Sequence, residues 1–278
     1  MSSPAPQLPA TSSFDAWARV QLARHPKRPH ALDYIQKIVA GFQEIHGDRR
    51  YADDPAIVCG MGSMRERPVM IVAQQKGRDT KQKLYRNFGM PKPEGYRKAM
   101  RAMELAAKFN RPVVALLDTP GAYPGLDAEE RGQAEAIAYN LREMARLEVP
   151  LICVVIGEGG SGGALALGGG NRIFMMENAV YSVISPESCA AIIWRDAKNA
   201  EKAAAALRIT APDLKALGLI DGIIEEPGGG AHEEPDAAAF ELAGTIDRTL
   251  QELAGMNGRQ LVDDRYEKFR RMGNFFSE

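Results

Sequence analysis

Six glycines lie within the thirteen residues of the stretch 156–168, IGEGGSGGALALG, directly after the apolar run LICVV. An apolar strand that ends in closely spaced glycines can turn its backbone N–H groups outwards, because no side chain blocks the approach of a ligand. Such groups hydrogen-bond to negatively charged oxygens. The chemistry to consider is therefore the binding of a nucleotide phosphate, or the stabilisation of an anion formed during acyl transfer or enolisation.

Two known loop patterns overlap in this stretch. Residues 157–162 fit the dinucleotide-binding pattern G-x-G-x-x-G, and Glu177 follows at about the spacing of a ribose-binding acid. The helical run GGALALGG is too short for that fold, and no Lys-Ser or Lys-Thr pair follows to make a P-loop. Residues 159–163 fit the nucleophile pattern G-x-S-x-G around Ser161, for which His232 is the only downstream histidine. A serine hydrolase is therefore an alternative, although a small residue at a tight helix start explains Ser161 more simply.

A third interpretation uses backbone groups alone. Gly159 and Gly160 are expected where the strand turns into a helix, so that their N–H groups can point together at one oxygen. Two such donors form an oxyanion hole, which stabilises the charge that develops in the transition state. Glu158 is expected to orient the loop through backbone hydrogen bonds. The plainer alternative is a glycine-rich turn that serves only the close packing of helix against strand.

A second loop of the same character follows the apolar run VVALL. It reads DTPGAYPG and contains two successive tight turns. Asp118 ends the strand, where it either caps the loop or takes part in catalysis, and Asp127 is predicted to cap the next helix. If the two loops lie side by side, Gly121, Ala122 and Tyr123 form a second wall suited to a flat, polar ligand.

Both loops belong to a repeated unit. Pro68, Pro112 and Pro150 each precede an apolar, strand-like run that ends in a glycine-containing loop. The amphipathic stretches EGYRKAMRAMELAAKF and EERGQAEAIAYNLREMARL separate these runs. Such units predict an α/β fold with parallel strands whose loops share one sheet edge. RIFMM, AVYSVIS and LGLIDGIIEE are weaker strand signals, and helical patterns at both ends include ALDYIQKIVAGFQEI, a predicted helix ending near Gly47.

Composition and charge limit the class of protein. The 278 residues carry a net charge of −1, with 45% hydrophobic and 26% charged residues, which is typical of a soluble globular protein and does not favour nucleic-acid binding. No apolar run is long enough to span a membrane, and the N-terminus lacks the layout of a signal peptide. Residues 1–13 are predicted to be a disordered lead-in or linker, and residues 14–278 to form one domain.

The three cysteines, Cys59, Cys153 and Cys189, are far apart and form no C-x-x-C pair. An odd number without close pairs argues against a disulfide framework and against a zinc site in this chain. We therefore expect buried, reduced thiols, no bound metal and a cytoplasmic location.

Several longer stretches carry a resemblance to a known family: DTPGAYPG, EERGQAEAIAYNLREM, VIGEGGSGGALALG, YSVISPESCAAIIW, RNFGMPKPEGYRKA and ARHPKRPHALDYI. Over about residues 14–270 the chain resembles the carboxyltransferase alpha subunit of bacterial acetyl-CoA carboxylase. The resemblance implies a crotonase (ClpP-like) superhelix of repeated strand–loop–helix units with helical additions at both ends. It also implies carboxyl transfer from carboxybiotin, on the biotin carboxyl carrier protein, to acetyl-CoA. That reaction gives malonyl-CoA and is the first committed step of fatty acid biosynthesis.

The resemblance further implies partners and residue roles. A beta subunit of the same fold completes the active site in an α2β2 assembly, and biotin carboxylase belongs to the wider complex. The beta subunit mainly holds the acetyl-CoA thioester and carries the zinc ribbon, whereas Gly159 and Gly160 form the oxyanion hole that faces biotin. Biotin is thus on the carrier rather than on this chain, and coenzyme A enters with the substrate. Family members usually begin with a longer helical segment before ARHP, so natural shortening, truncation or a former fusion to beta is expected here.

A basic segment follows the first repeated strand and contains Lys76, Arg78, Lys81, Lys83 and Arg86. Lys76 and Arg78 are predicted to bind substrate near the entrance, through the phosphates of coenzyme A or through the acidic carrier protein. A solvated loop or a subunit contact is the alternative. The adjoining NFGMPKP is more apolar than a free loop, which predicts cover by a partner. A carboxyltransferase for another acyl-CoA, such as propionyl-CoA, and a non-catalytic scaffold of the same fold remain open alternatives.

Overall fold

The computed structural model describes residues 13–273, so the predicted lead-in lies outside the described residues except for Ser13. Within that range, eight strands form one mixed sheet. The strands are β1 (Ala40–Ile45), β2 (Ile57–Met64), β3 (Arg67–Gln74), β4 (Val113–Thr119), β5 (Leu151–Gly160), β6 (Arg172–Met176), β7 (Val180–Ser182) and β8 (Gly222–Ile224).

Twelve α-helices in the same described range surround this sheet. They are α1 (Ser13–Ala23), α2 (Ala31–Ile38), α3 (Thr80–Tyr85), α4 (Pro93–Lys108), α5 (Leu126–Glu130), α6 (Gln133–Met144), α7 (Ser161–Leu165), α8 (Pro186–Trp194), α9 (Ala200–Leu207), α10 (Ala211–Ala216), α11 (Pro235–Leu253) and α12 (Gly258–Arg270). Short 3-10 turns lie at Asn87–Gly89, Ala197–Asn199 and Pro227–Gly229. The predicted helical additions are present at both ends, as α1 and α2 and as α11 and α12.

The sheet brings the ends of its central strands to one edge. Its order is β1-β2-β3-β4-β5-β6-β8, with β7 pairing with β5 as well. Strand β2 pairs antiparallel with both β1 and β3. Strands β3, β4, β5, β6 and β8 run parallel to one another. The register places Thr119 beside Gly159, and on the other side of β5 Gly159 lies beside Tyr181 and Gly160 beside Ser182. The loops after β3, β4 and β5 therefore meet, as predicted.

The proline-led runs form β3, β4 and β5, which confirms the repeated unit. Every residue of β4 is buried, and β5 is buried through Gly157. Continuous burial is expected of parallel strands that have helices against both faces of the sheet. The strands thus form a rigid base for the loops at their carboxyl ends.

The predicted second helix is wrong in its latter half. Helix α2 ends at Ile38, and the chain continues as the edge strand β1, which pairs with β2. Strand β2 has glycines where this segment comes closest. A Cβ on Gly60 would lie 2.6 Å from the Phe42 ring, and a Cβ on Gly62 would lie 2.3 Å from the Val39 side chain. This tertiary fit decides the conformation, and local helical periodicity does not reveal it.

The predicted helix over EERGQAEAIAYNLREMARL is divided. Helix α5 ends at Glu130 and α6 begins at Gln133, with Gly132 between them at φ 84°. Glycine adopts this left-handed conformation without the steric cost that a Cβ brings. The break turns the chain between the second loop and the helix that packs behind it.

Three further features bear on class and chemistry. Within residues 13–273 no helix is both long and apolar enough to cross a bilayer. Cys59 and Cys153 are buried and unpaired, and burial raises the pKa of each thiol to about 12; Cys189 is half-buried and also unpaired. The same described residues contain no group of three metal-ligating side chains.

Candidate functional site

The two glycine-containing loops touch through their backbones. A Cβ built on Gly160 would lie 2.2 Å from the carbonyl oxygen of Pro120, and one on Gly163 would lie 2.4 Å from the amide nitrogen of Ala122. Real Cβ atoms do not approach so closely, so only glycine fits at these two positions. We call residues 119–123 and 159–163 together the glycine wall.

The glycine wall turns bare backbone towards open space. A Cβ on Gly121 or on Gly162 would meet no other atom within 4 Å. Because Pro120 contacts Gly160 and Ala122 contacts Gly163, Gly121 and Ala122 lie beside the strand end that carries Gly159 and Gly160. Tyr123 follows the same turn, but its ring lies under the Lys92 ammonium, with 4.6 Å between the Nζ atom and the ring centroid.

Gly159 and Gly160 are the last two residues of β5, and α7 begins at the next residue. Gly159 is buried between strand partners on both sides, whereas Gly160 is half-buried and has a partner on one side only. Helix α7 has five residues, fewer than the run GGALALGG predicts. The strand-end position of the pair is confirmed; an oxyanion hole made by their amides stays a prediction, with Gly160 the better exposed donor.

Two buried polar side chains support the wall from below. Gln74 donates from Nε2 to the Gly163 carbonyl at 2.7 Å, and its Oε1 accepts from the Asp118 amide at 3.1 Å. The Tyr96 hydroxyl donates to the same Gly163 carbonyl at 3.3 Å. Sequence reasoning missed both residues; the available signal was the polar Gln74 that ends the apolar run VMIVA.

Ser161 has the strained turn of a nucleophile elbow but not its base. Its φ is 54°, in the left-handed region, and its side chain is exposed. Within residues 13–273 its hydroxyl makes no hydrogen bond to a histidine. His232, the predicted base, instead lies against His25, with 4.2 Å between ring centroids, and its Nε2 is 3.4 Å from Glu233. The structure gives the hydrolase alternative no support.

Behind the glycine wall, charged side chains from distant segments form a chain of ion pairs. The Lys76 ammonium lies 2.8 Å from the Asp118 carboxylate and 2.7 Å from that of Glu158. The Arg24 guanidinium lies 2.6 Å from Glu158 and 2.5 Å from Glu187. We call these five residues the charged wall. Asp118 is thus neither a lone cap nor a free acid, because it shares one cation with Glu158.

The ion pairs of the charged wall favour the charged forms of Lys76 and Glu158. Burial alone disfavours the charged form of Lys76, but the attraction of Asp118 and Glu158 outweighs it and raises the pKa of the ammonium. Burial likewise favours the neutral form of Glu158, but Lys76 and Arg24 outweigh it and lower the pKa of that carboxyl. Opposite charges at close range inside a protein interact much more strongly than on its surface.

A polar cavity of about 300 Å³ opens beside the charged wall and reaches the glycine wall at Pro120. The residues that line it include Arg24, His25, His30, Lys76, Arg78, Lys83, Phe88, Pro120 and Glu158. Both predicted cations are therefore at the cavity, yet Arg78 pairs with Asp33 and also donates to the Pro26 carbonyl at 3.3 Å. Within residues 13–273, Lys83 has no ion-pair partner, so it is the cation most available to a ligand.

Phe88 reaches the cavity rim from a left-handed segment. Asn87, Phe88 and Gly89 have φ values of 50°, 56° and 77°. The buried Asp54 holds this segment, accepting from the Asn87 amide group at 2.9 Å and from the Lys92 backbone N–H at 2.7 Å. Burial outweighs these bonds and raises the pKa of Asp54 to about 6. A strained backbone that is held by several bonds is typical of functional loops.

A buried arginine anchors the N-terminal segment to the sheet. Arg28 donates to the Ile156 carbonyl in β5 at 2.9 Å and pairs with Glu226 at 2.6 Å. Glu226 also accepts from the Asn178 backbone N–H at 2.9 Å and from the Ala231 backbone N–H at 2.8 Å. Arg24, four residues earlier, is thereby held in its place in the charged wall. Sequence reasoning missed both arginines, whose partners lie more than a hundred residues away.

The residues present fit a flat, anionic or polarised ligand. Backbone without side chains faces open space at Gly121 and Gly162, and cations line the adjoining cavity. A ureido group could approach such a wall closely, and a phosphate could be met by Lys83. The glycine wall therefore fits the flat ring of biotin, and Lys83 at the cavity fits a phosphate of coenzyme A.

Comparison with known proteins shows which family the chain is similar to. The family described as acetyl co-enzyme A carboxylase carboxyltransferase-like matches residues 7–273. Two similar proteins are the acetyl-coenzyme A carboxylase carboxyl transferase subunits alpha of Oceanobacillus iheyensis and of Geobacter metallireducens. The first is 58% identical over 94% of this chain and 82% of its own length. The second is 56% identical over 95% of this chain and 83% of its own length.

Two solved structures share the fold. The transcarboxylase 12S structure has a TM-score of 0.66 at 23% identity, covering 82% of this chain and 42% of that one. A subunit of a Pseudomonas malonate decarboxylase hetero-tetramer, in complex with coenzyme A, has a TM-score of 0.66 at 18% identity, covering 86% of this chain and 96% of that one. These likenesses confirm the predicted α/β, crotonase-like fold.

Proposed function

Because the chain belongs to the acetyl co-enzyme A carboxylase carboxyltransferase family, we propose that it performs, with a beta subunit, the transfer of a carboxyl group from carboxybiotin to acetyl-CoA. The product is malonyl-CoA, the precursor for fatty acid synthesis. The observation that carries the proposal is the glycine wall, where two strand-end loops meet so closely that side chains are excluded and backbone alone faces the ligand.

In this proposal the amides of Gly160 and Gly159 donate hydrogen bonds to the ligand oxygen on which negative charge develops. Donors fixed in advance stabilise that charge without reorganising, and one such donor contributes about 3–4 kcal/mol in well-studied enzymes. Gly121 and Ala122 form the opposite side and let a flat group lie between the loops. The strand pairing of β5 and the hydrogen bonds of Gln74 keep the loops in place during turnover.

Two of the cations at the cavity, Lys83 and Arg78, are assigned to the substrate's charged end. Lys83 and Arg78 would meet the phosphates of coenzyme A or an acidic carrier surface, Arg78 by exchanging its exposed pair with Asp33. Lys76 lies on the same cavity wall. Biotin, bound to its carrier protein, would supply the carboxyl group. The chain's own contribution is thus binding, orientation and placement of amide dipoles, with no side-chain nucleophile.

Partners are part of the proposal. Large apolar side chains remain exposed in this chain, among them Val183 at 76%, Ile192 at 70% and Ile193 at 63% of their surface. Exposed apolar groups of this size near a site are typical of a subunit interface. We assign this surface to the beta subunit of an α2β2 assembly, served by the biotin carboxyl carrier protein and biotin carboxylase. A cytoplasmic location is proposed in view of the unpaired cysteines.

The reverse reaction tests the proposal. The purified chain, with and without its beta subunit, is assayed for malonyl-CoA decarboxylation that depends on added biocytin. We expect activity only with both subunits. A folded, verified complex without activity would contradict the proposal. Competition between acetyl-CoA and propionyl-CoA in the forward direction then decides which acyl group is preferred, and loss of turnover on altering Gly160 excludes a non-catalytic scaffold.

A further inference from the structure

Glu158, the residue directly before the glycine pair, is held on every side. Its backbone N–H donates to the Asp118 carboxylate at 2.9 Å. Its own carboxylate accepts from Arg24 at 2.6 Å and from Lys76 at 2.7 Å. A Cβ on Gly157 would lie 2.4 Å from the Asp118 carboxylate, so the strand end presses directly on that group. The path of the chain into Gly159 therefore depends on where these charges sit.

Lys76 is the only cation in the charged wall that forms ion pairs with both Asp118 and Glu158. Its side chain is 15% exposed, and its stem passes Gly89, where a Cβ would lie 2.6 Å from the lysine Cγ. Turning the ammonium towards a ligand would leave Asp118 and Glu158 facing each other without a shared cation. Uncompensated buried charge is strongly unfavourable, so the geometry holds Lys76 in place.

We propose that Lys76 is a positioning residue of the transfer reaction: by neutralising Asp118 and Glu158 together, it fixes the strand end that aims the Gly159 and Gly160 amides. This inference rests on the proposed function for its kinetic effect, and it assigns Lys76 to the loop rather than to substrate phosphate. Lys83, on the same cavity and without an ion pair among the described residues, is the contrasting lysine.

Removing the cation should create a new pH dependence. In Lys76→Met the two carboxylates face each other, so one of them binds a proton up to a higher pH than usual, and that proton restores a bond between them. Activity of the variant should therefore fall as the pH rises through this raised pKa. Wild type and variant retain the other charged or titratable groups around Asp118 and Glu158, which are Arg24, Arg28, His30, Tyr34 and Glu187. Both also retain Arg78, which lies near His30.

The test uses the complex with beta and measures kcat and KM for the CoA substrate between pH 5.5 and 8.5. We expect Lys76→Met to lower kcat by about 10- to 100-fold at the alkaline end, as for a misplaced catalytic group, with little change in KM. The double variant Lys76→Met/Glu158→Gln removes the charges of Lys76 and Glu158, so no pair of carboxylates remains, and it should recover most of kcat and lose the pH dependence. Lys83→Met should raise KM instead.

A second readout is independent of turnover. Amide hydrogen exchange over residues 157–163 should be faster in Lys76→Met than in wild type and should be restored in the double variant. An elevated, salt-dependent KM with normal kcat and normal exchange in Lys76→Met would overturn the inference and make Lys76 a substrate contact. If the wild-type complex shows no transfer but the exchange pattern is as expected, the proposed function fails and the positioning role stands.

Discussion

The two walls of the site are built on different physics. In the glycine wall, contact is between backbones, and the fit fails when a single carbon is added at Gly160 or Gly163. In the charged wall, long side chains meet through ion pairs, whose strength depends on protonation and partner rather than on one atom of volume. The first wall can aim dipoles without any counter-ion. The second can hold a strand end in place but must keep its charges matched.

Substitutions in the two walls should therefore reduce activity in different ways. Steric damage to the glycine wall should reduce activity at every pH, because no titrating group is involved. Damage to the charged wall should depend on pH, because unpaired carboxylates take up protons.

The largest expected effect is on stability, at the anchor of the charged wall. Arg28→Met leaves Glu226 buried without its partner, which should lower the free energy of unfolding by about 3–5 kcal/mol. The matched control is Arg78→Met, whose exposed pair with Asp33 should contribute at most about 1 kcal/mol. Urea unfolding of the three proteins checks this. Equal losses in the two variants would contradict the importance of burial.

Next comes the glycine wall itself. Gly160→Ala forces the Pro120 carbonyl and the strand end apart, so transfer should fall about 100- to 1,000-fold, the effect of losing one oxyanion donor. Gly255→Ala is the control, since a Cβ there also meets no other atom within 4 Å and Gly255 belongs to neither wall. The assay is malonyl-CoA decarboxylation with beta subunit at several pH values. Near-normal turnover in a folded Gly160→Ala complex would refute the oxyanion assignment.

A third prediction concerns Asp54, which holds the segment that carries Phe88. Its pKa is raised to about 6 in the folded protein, so the folded state binds the proton more tightly than the unfolded chain. Its contribution to stability should therefore decrease as the pH rises from about 4 to 6, by on the order of 3 kcal/mol in total.

Unfolding of wild type and Asp54→Asn at pH 4, 5, 6 and 7 measures this contribution, because the variant lacks the titration. The stability of wild type relative to the variant should decline with rising pH and level off above pH 6. A difference that is constant with pH would show that folding does not raise the pKa of the Asp54 carboxyl.

The smallest expected effect is at Ser161. Because its φ of 54° suits glycine, Ser161→Gly should raise the free energy of unfolding by about 1 kcal/mol or less. Ser63→Gly, in the ordinary strand conformation of β2, should lower it instead. Turnover of Ser161→Gly and Ser161→Ala should stay close to that of wild type. Labelling of wild type by a fluorophosphonate, with loss of activity in both variants, would revive the hydrolase alternative.

The glycine wall could be predicted from the sequence because its signals are local. Pro112 and Pro150 start apolar runs, the runs end in glycines, and parallel strands bring such ends together. The sequence predicts a helix where the edge strand β1 forms. The fit of this segment against Gly60 and Gly62, about 20 residues further along the chain, lies outside any local helical pattern. Local patterns cannot show which remote surface will select a conformation.

The charged wall was largely out of reach for the same reason. Glu158 bonds to groups 40, 82 and 134 residues away, at Asp118, Lys76 and Arg24. Nothing in the basic segment distinguishes Lys76, which forms two ion pairs, from Lys83, which forms none with residues 13–273. The prediction placed both at the correct sheet edge, but the choice of ion-pair partner is made by the three-dimensional fold.

The Arg28–Glu226 pair also has a consequence for synthesis on the ribosome. The two residues are 198 positions apart, so at typical rates of 5–20 residues per second Arg28 emerges about 10 to 40 seconds before its partner. Throughout that interval the N-terminal segment lacks the buried ion pair that anchors it. The segment around Arg28 is thus made long before its buried ion pair can form.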